Sequence, residues 1–584
     1  VDLSRSNSIP DMSPRLMPRA IVAWAAVGLL ALVPIHAAEQ SGAPSSAPLS
    51  RDWKRVTLGD LTAVGNAGEN ELRQALAALH DFRFALRHFF TRLQLDSDVP
   101  TQLVVFRDNQ SFHRFKTRDE RGRIREFVAG YFGGHPDVNQ MVMYWSTPKE
   151  QALNVLFHEY THYVVNRNLP SIPAWLNEGL AEFYGTFRDD YRDGRGLIGS
   201  PPEARLRTLR SGDPLIPLRE MLTAEGAARI FRNPRRTSMF YAQAWALVHY
   251  LHMQRWAAGG VDLRAYLTAF SGGATEDAVR RAFGLSIEEL ERELFGYVQR
   301  FQFTAALLPP RPQTESETAA TARLTEVEAR FVQGDLLVRV GATREAEAEL
   351  ARVREAEPSH VGARIAIGRV RLQQDRREEA IEILDAAVRA DPRSFAASYY
   401  LASAFAEDDR HVAALLAYDA ALALQPRSSA ALYGRSASSL ALNRVVESDA
   451  TFDRLLAIDS DPQWRRSRAY DAFGIGVYET AIREAARYVD AQGPGDSSAP
   501  YMAMLSSVSA SRLGRMADAE ATLTAAAAAL IADSWPDRLV RFLRGQLDAA
   551  SLIARADNDD ERTEAHTYVG IMAAIEGRLD EARK

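Results

Sequence analysis

Three residues in the first half of the chain have the types and spacing to do chemistry together. They are His158, Glu159 and His162, in the segment ALNVLFHEYTHYVVNRN. Leu153, Leu156, Phe157, Tyr160, Val164 and Val165 recur around them at helical spacing, which predicts a helix carrying both histidines. Residues four apart share a helix face with side chains about 6 Å from one another. Two imidazoles so placed can reach one cation at about 2.0 to 2.1 Å. Glu159 then projects beside the ion, positioned to touch a water on the metal rather than the metal itself. A catalytic zinc site needs a third protein ligand and one open position. Glu178, on the next predicted helix, is the candidate. The plain alternative for the histidine pair is two polar residues on a helix flank.

Composition narrows the donor set. The 584 residues contain no cysteine, so thiol nucleophiles, disulfides, iron-sulfur clusters and cysteine-based zinc sites are all excluded. Any metal must be held by histidine and carboxylate. Lys plus Arg is 70 against 76 for Asp plus Glu, a balance too mild to point to nucleic acid as the main partner.

Several elements must position these residues. Thr147 can cap the histidine helix, Pro148 suits its first position, and Glu150 completes a T-x-x-E box. Upstream, QLVVF (Gln102 to Phe106) and QMVMYW (Gln140 to Trp145) read as strands. The second runs directly into the histidine helix and is either a sheet edge, able to pair with an extended peptide, or an ordinary central strand. GYFGGHPD (Gly130 to Asp137) reads as a glycine-rich loop near the cleft, with His135 unassigned.

The spacing of His158, Glu159 and His162 is the His-Glu-x-x-His arrangement of zinc metallopeptidases. PAWLNEGLAEFY (Pro173 to Tyr184) resembles the W-L-N-E-G-x-A segment of the gluzincins, whose third metal ligand is a glutamate on a second helix. Carried over by that resemblance, His158, His162 and Glu178 are the zinc ligands and Glu159 the general base. Glu182 matches the carboxylate that orients a liganding histidine. The gap between His162 and Glu178 is a few residues shorter than in the large members, which weakens any transfer of substrate specificity. Over about Trp53 to Phe303 the chain more closely resembles the peptidase-MA-like, DUF1570-like domains of bacterial proteins often joined to tetratricopeptide repeats. The resemblance implies an α+β zincin-like fold. In such domains a further helix resembling FYAQAWALVHYL (Phe240 to Leu251) follows the zinc segment, and Tyr241 could donate to a developing oxyanion. A buried structural tyrosine is the alternative. His249 and His252 are expected to be packing or surface residues.

From Val327 the chain is self-similar at a period of 34. Gly334, Gly368 and Ala402 share one phase, Ala346, Ala380 and Ala414 a second, and Pro358, Pro392 and Pro426 a third. Small residues let paired helices approach, and the proline ends each second helix. The region resembles tetratricopeptide repeats and is expected to form an all-α superhelix. A fourth unit (Ser436, Phe452, Pro462) and a further copy from Tyr501 (Gly514, Ala519) keep the frame more loosely. Gly570 and Ala582 repeat the twelve-residue offset of Gly334 and Ala346, so the array is expected to be truncated at its C-terminus.

Residues 12–37 carry Arg15 and Arg19, an apolar run from Ala20 to Val33 and Ala37 at the cleavage position, the pattern of a secretory signal. The competing reading is an uncleaved anchor, for which a span of about 20 apolar residues is needed. With no cysteine a lipid anchor is excluded. Val1 reads as a GTG codon, with translation expected from Met12 or Met17. The expected division is therefore a signal (12–37), a flexible spacer (38–50), a metallopeptidase domain (51–305), a linker (306–322) and the repeats (323–584). The expected function is a Zn2+-dependent peptidase, exported to the periplasm or secreted. Its substrate would be a peptide or protein, with a protein partner in the repeat groove, no nucleic acid and no stable membrane anchor. The alternative is a non-catalytic envelope scaffold that retains the fold.

Overall fold

The computed structural model describes residues 52–578, apart from 90–94, 96–97, 120, 170–171, 192–194, 232, 257–264, 268–269, 271–274, 301, 311–318, 495 and 531. The expected signal and spacer lie outside the described residues, as does Ala582. No helix among the described residues is long and apolar enough to cross a membrane.

The strands are β1 (Lys54–Leu58), β2 (Leu61–Gly65), β3 (Thr101–Phe106), β4 (Gly130–Gly134), β5 (Asn139–Tyr144), β6 (Arg188–Tyr191), β7 (Arg195–Ile198), β8 (Ala306–Pro310) and β9 (Ala320–Arg323). Six of them form one mixed sheet in the order β4-β5-β3-β2-β1-β9, and β6-β7-β8 form a smaller antiparallel one. Both expected strands are present as β3 and β5. One expectation is corrected, and one left open between two readings is decided. GYFGG is not a loop but strand β4, and it is β4, antiparallel to β5, that lies at the sheet edge. The strand leading into the histidine helix is internal, pairing with β4 on one side and β3 on the other. The supposed linker 306–322 is likewise structured at both ends, since β8 pairs with β7 and β9 with β1.

The helices that matter for the site are α1 (Glu69–Phe89), α2 (Lys149–Asn168), α3 (Ala174–Tyr184), α4 (Glu203–Leu209) and α5 (Pro234–Tyr250). Side chains alternate across a strand, and here both faces of the sheet are buried, which explains its nearly continuous apolar runs. Leu103, Val105, Met141 and Met143 face a core with Leu72, Leu76, Leu79 and Phe82 of α1 and with Leu156 and Phe157 of α2. Val104, Phe106 and Val142 face the other way, into a second core shared with Phe112, Phe115 and the first repeat helices.

The repeats open with α6 (Glu326–Arg339), α7 (Thr343–Ala356), α8 (Val361–Gln373), α9 (Arg377–Ala390), α10 (Phe395–Glu407) and α11 (His411–Leu424), and paired helices continue to Ile575. The phase positions do what their size requires. A methyl on Gly334 would meet Leu350 at 2.8 Å and one on Gly368 would meet Leu384 at 2.5 Å. Pro358, Pro392 and Pro426 each stand two residues past the end of a second helix. Between paired helices the chain turns through a left-handed residue at Gly341, Asp375, Asp409 and Asn443, again 34 apart. Glycine, Asp and Asn tolerate that conformation best.

Candidate metal centre

Helix α2 is buried on nearly every side from Val155 to Val165, as a helix wedged between a sheet and other helices must be. Its start differs from expectation: Pro148 occupies the capping position and no side chain caps the helix, so the Thr147 box does not form. Helix α3 crosses beside it. Gly179 lets α3 pack closely on α5 on its other side, because a methyl there would lie 2.7 Å from the Ala244 carbonyl oxygen of α5 and 2.6 Å from Val248.

These two helices bring His158, His162 and Glu178 together, all three buried, with one donor atom from each within 4.8 Å of the others. The two Nε2 atoms are 3.0 Å apart. Glu178 Oε2 faces them at 3.4 Å from His162 and 3.7 Å from His158. That oxygen is fully enclosed and has no hydrogen bond of good geometry. A buried acceptor left unmade costs about 1–3 kcal/mol. A cation at the point on which the three groups converge removes that cost, and two imidazoles with one carboxylate is a donor set that zinc takes. The residues present fit the ion.

His162 is held from behind by a hydrogen bond, and a carboxylate stands behind His158. His162 Nδ1 donates to Asn177 Oδ1 at 2.9 Å, which leaves Nε2 with its lone pair toward the site. His158 Nδ1 lies 3.6 Å from Glu182 Oε1, and Glu182 in turn receives two hydrogen bonds from the buried Arg205 of α4. Asn177 and Arg205 were not singled out from sequence. Asn177 stands inside the W-L-N-E-G segment itself, whereas Arg205 carries no local signal.

Glu159 is buried on the helix that β4 packs against. Burial raises its pKa to about 8, with His162 opposing and Glu178 adding to the rise. Burial holds His158 well below the ordinary imidazole value. For His162 burial works the same way, but the Glu178 carboxylate outweighs it and lifts the ring to about 9. These are the values of the metal-free protein. Tyr241, on α5, is buried with the Arg205 guanidinium 5.1 Å from its ring centre. Burial and then the negative charge of Glu178 raise the pKa of its hydroxyl well above the usual range. His249 and His252 are packing residues: His249 is fully buried against Tyr297, and His252 stacks on Phe183. A cleft of about 790 Å³ reaches the site, with His158, Glu182, Arg205, Tyr144 and Arg188 in its walls.

Two family models match the chain. One, described as a protein of unknown function (DUF1570), covers residues 154–259 and so contains every residue of this centre. The other, tetratricopeptide repeat, matches residues 331–394 and 365–429. No curated protein matches. Among solved structures, similarity is found to a tetratricopeptide repeat protein from Parabacteroides merdae, at 16% identity over 44% of this chain and 99% of that one, with a TM-score of 0.32. PilF of Pseudomonas aeruginosa is 18% identical over 36% of this chain and 95% of its own, with a TM-score of 0.28. A thermophilic repeat protein of Thermus thermophilus is also 18% identical, over 34% of this chain and 99% of its own, with a TM-score of 0.26. The chain carries a DUF1570 domain followed by tetratricopeptide repeats.

Proposed function

We propose that the first domain is a zincin-like, zinc-dependent peptidase of the gluzincin type, acting on a peptide or protein outside the cytoplasm. The observation that carries this reading is the convergence of His158, His162 and the unpartnered Glu178 oxygen on one point, with Glu159 adjacent. A bound zinc ion supplies Lewis acidity to the scissile carbonyl and to water. The chain supplies the rest. Glu159 accepts the proton of the attacking water at its carboxylate and returns it to the leaving amine. Tyr241 donates its hydroxyl hydrogen to the developing oxyanion. Asn177 holds His162 in the tautomer that directs its Nε2 lone pair to the site, and Glu182 stands behind His158 as the carboxylate placed to do the same. Edge strand β4, beside Glu159, offers main-chain groups for an extended substrate.

The repeats favour a second reading, because arrays of this kind present extended surfaces to protein partners. In that reading the chain is an envelope scaffold and the first domain is retained as structure. N-terminal profiling of peptides cleaved by wild type and by Glu159→Gln separates the two. The peptidase reading expects new N-termini with wild type alone. A zinc-loaded wild type that cuts nothing, yet retains a defined partner through residues after Val327, favours the scaffold.

A further inference from the structure

The turn between β4 and β5 is held by the repeats. Asp137, at its tip, receives Arg339 Nη2 of α6 at 3.0 Å and the Tyr400 hydroxyl of α10 at 2.9 Å. Asp335 of α6 ties the two arginines together, bonding Arg339 at 2.7 Å and Arg369 of α8 at 2.9 Å, and Arg369 lies over the Tyr400 ring at 4.9 Å. Arg339 is 4% exposed and Asp137 17%, so the contact is largely shut off from water and salt screens it little.

These side chains come from the first helices of three successive repeats. Successive first helices pack against one another more closely than successive second helices do, which makes them the inner side of the array. The acidic turn therefore lies where an array of this kind receives a ligand. The same five-residue strand packs on the helix that carries Glu159: the ring of Phe132, its middle residue, lies on Tyr163 of α2 at 4.6 Å, and Gly130, at its far end, abuts Val155 of α2 so closely that a methyl there would lie 2.7 Å from it. Strand β4 has a neighbour on one side only, and its two glycines at the tip, Gly133 and Gly134, contribute little packing of their own.

We propose that the repeat array binds the β4–β5 turn as an internal ligand, and that Asp137 is thereby a positioning residue that fixes β4 beside Glu159. The array is on this view part of the cleft as well as an arm that recruits a partner, and the inner surface left for a partner begins after α10. The effect on turnover rests on the peptidase reading; the anchoring does not.

The test uses the full, zinc-loaded chain. Asp137→Asn keeps the shape of the side chain and removes its charge; Tyr400→Phe removes one hydrogen bond and spares the fold if Asp137→Asn does not. Amide exchange across residues 130–139 should quicken about tenfold or more in Asp137→Asn and less in Tyr400→Phe, with zinc content unchanged. Arg427→Gln, which breaks a separate contact between the repeats and Asp98, should leave that exchange as it was. Unchanged exchange over 130–139 in both variants overturns the proposal, and so does an equal increase in Arg427→Gln. Where wild type cleaves peptides, Asp137→Asn should raise KM more than it lowers kcat and Asp137→Glu should restore it; equal loss in both variants sinks the positioning role. A wild type that cleaves nothing removes the peptidase reading alone, since the exchange measurement still decides the anchoring.

Discussion

Three buried carboxylates stand close together around the two histidines, and their neighbours give each a different task. Glu178 faces the imidazole nitrogens, Glu182 is spent on Arg205 and stands behind His158, and Glu159 is buried with burial raising its pKa. Glu159→Gln should retain zinc and lose about 10²–10⁴ in turnover, the range a positioned acid–base group supplies. Glu182→Ala strands the Arg205 guanidinium in the interior, which should cost about 3–5 kcal/mol in chemical denaturation. The same change should weaken zinc binding about 10–100-fold by releasing His158. Removing both Glu182 and Arg205 should cost less than the sum of the single changes, because the double variant leaves no buried charge alone. The clustering of the two histidines was legible in sequence because helical spacing places them on one face. Arg205 was not, since a single arginine on a seven-residue helix carries no pattern, and only the fold brings it to Glu182.

Elements depart from expectation where local preference and tertiary pairing disagree. GYFGG has too many glycines to read as a strand, yet β5 supplies its pairing, and Gly130 has to be small because a methyl there would meet Val155 of α2 at 2.7 Å. The ends of the supposed linker, LLPP and ATAR, are short edge strands, the place in a sheet that tolerates proline. The left-handed turns at Asp375, Asp409 and Asn443 were present in the 34-residue period all along, as a phase occupied by Gly, Asp, Asp and Asn. Gly179→Ala drives a methyl against the Ala244 backbone, which cannot move aside as a side chain can. It should cost about 1–3 kcal/mol, read from the thermal or denaturant midpoint. His249 joins α5 to the strands of the small sheet, with Nδ1 bonded to Tyr297 and Nε2 facing the Gly199 and Thr304 carbonyls. Burial lowers its pKa to about 4. The unfolded chain takes up that proton first, near pH 6.5, so the contribution is whole above that pH and is lost as pH falls toward 4. Unfolding free energies of wild type and His249→Gln should therefore converge by about 3 kcal/mol between pH 7.5 and pH 4.

At the scale of the molecule, the division into two domains follows the chain but not the core. One face of the sheet, with Val64, Val104, Phe106, Tyr131 and Val142, is covered by Val332, Leu336, Leu337 and Ala363 of the repeats. Each large apolar side chain so covered contributes about 1.5–3 kcal/mol. Residues 52–324 alone should therefore expose that face, bind a hydrophobic dye and aggregate, while a fragment continued through Gln374 should do neither. Sequence could locate the change of pattern near residue 323, but a period of 34 says nothing about what its first helices pack against. The central claim remains that His158, His162 and Glu178 hold zinc. Elemental analysis of purified wild type, Glu159→Gln and His162→Ala decides it: one zinc per chain is expected in the first two and none in the third. Stoichiometric zinc in His162→Ala, or none in a wild type purified without chelator and given the metal, would contradict it.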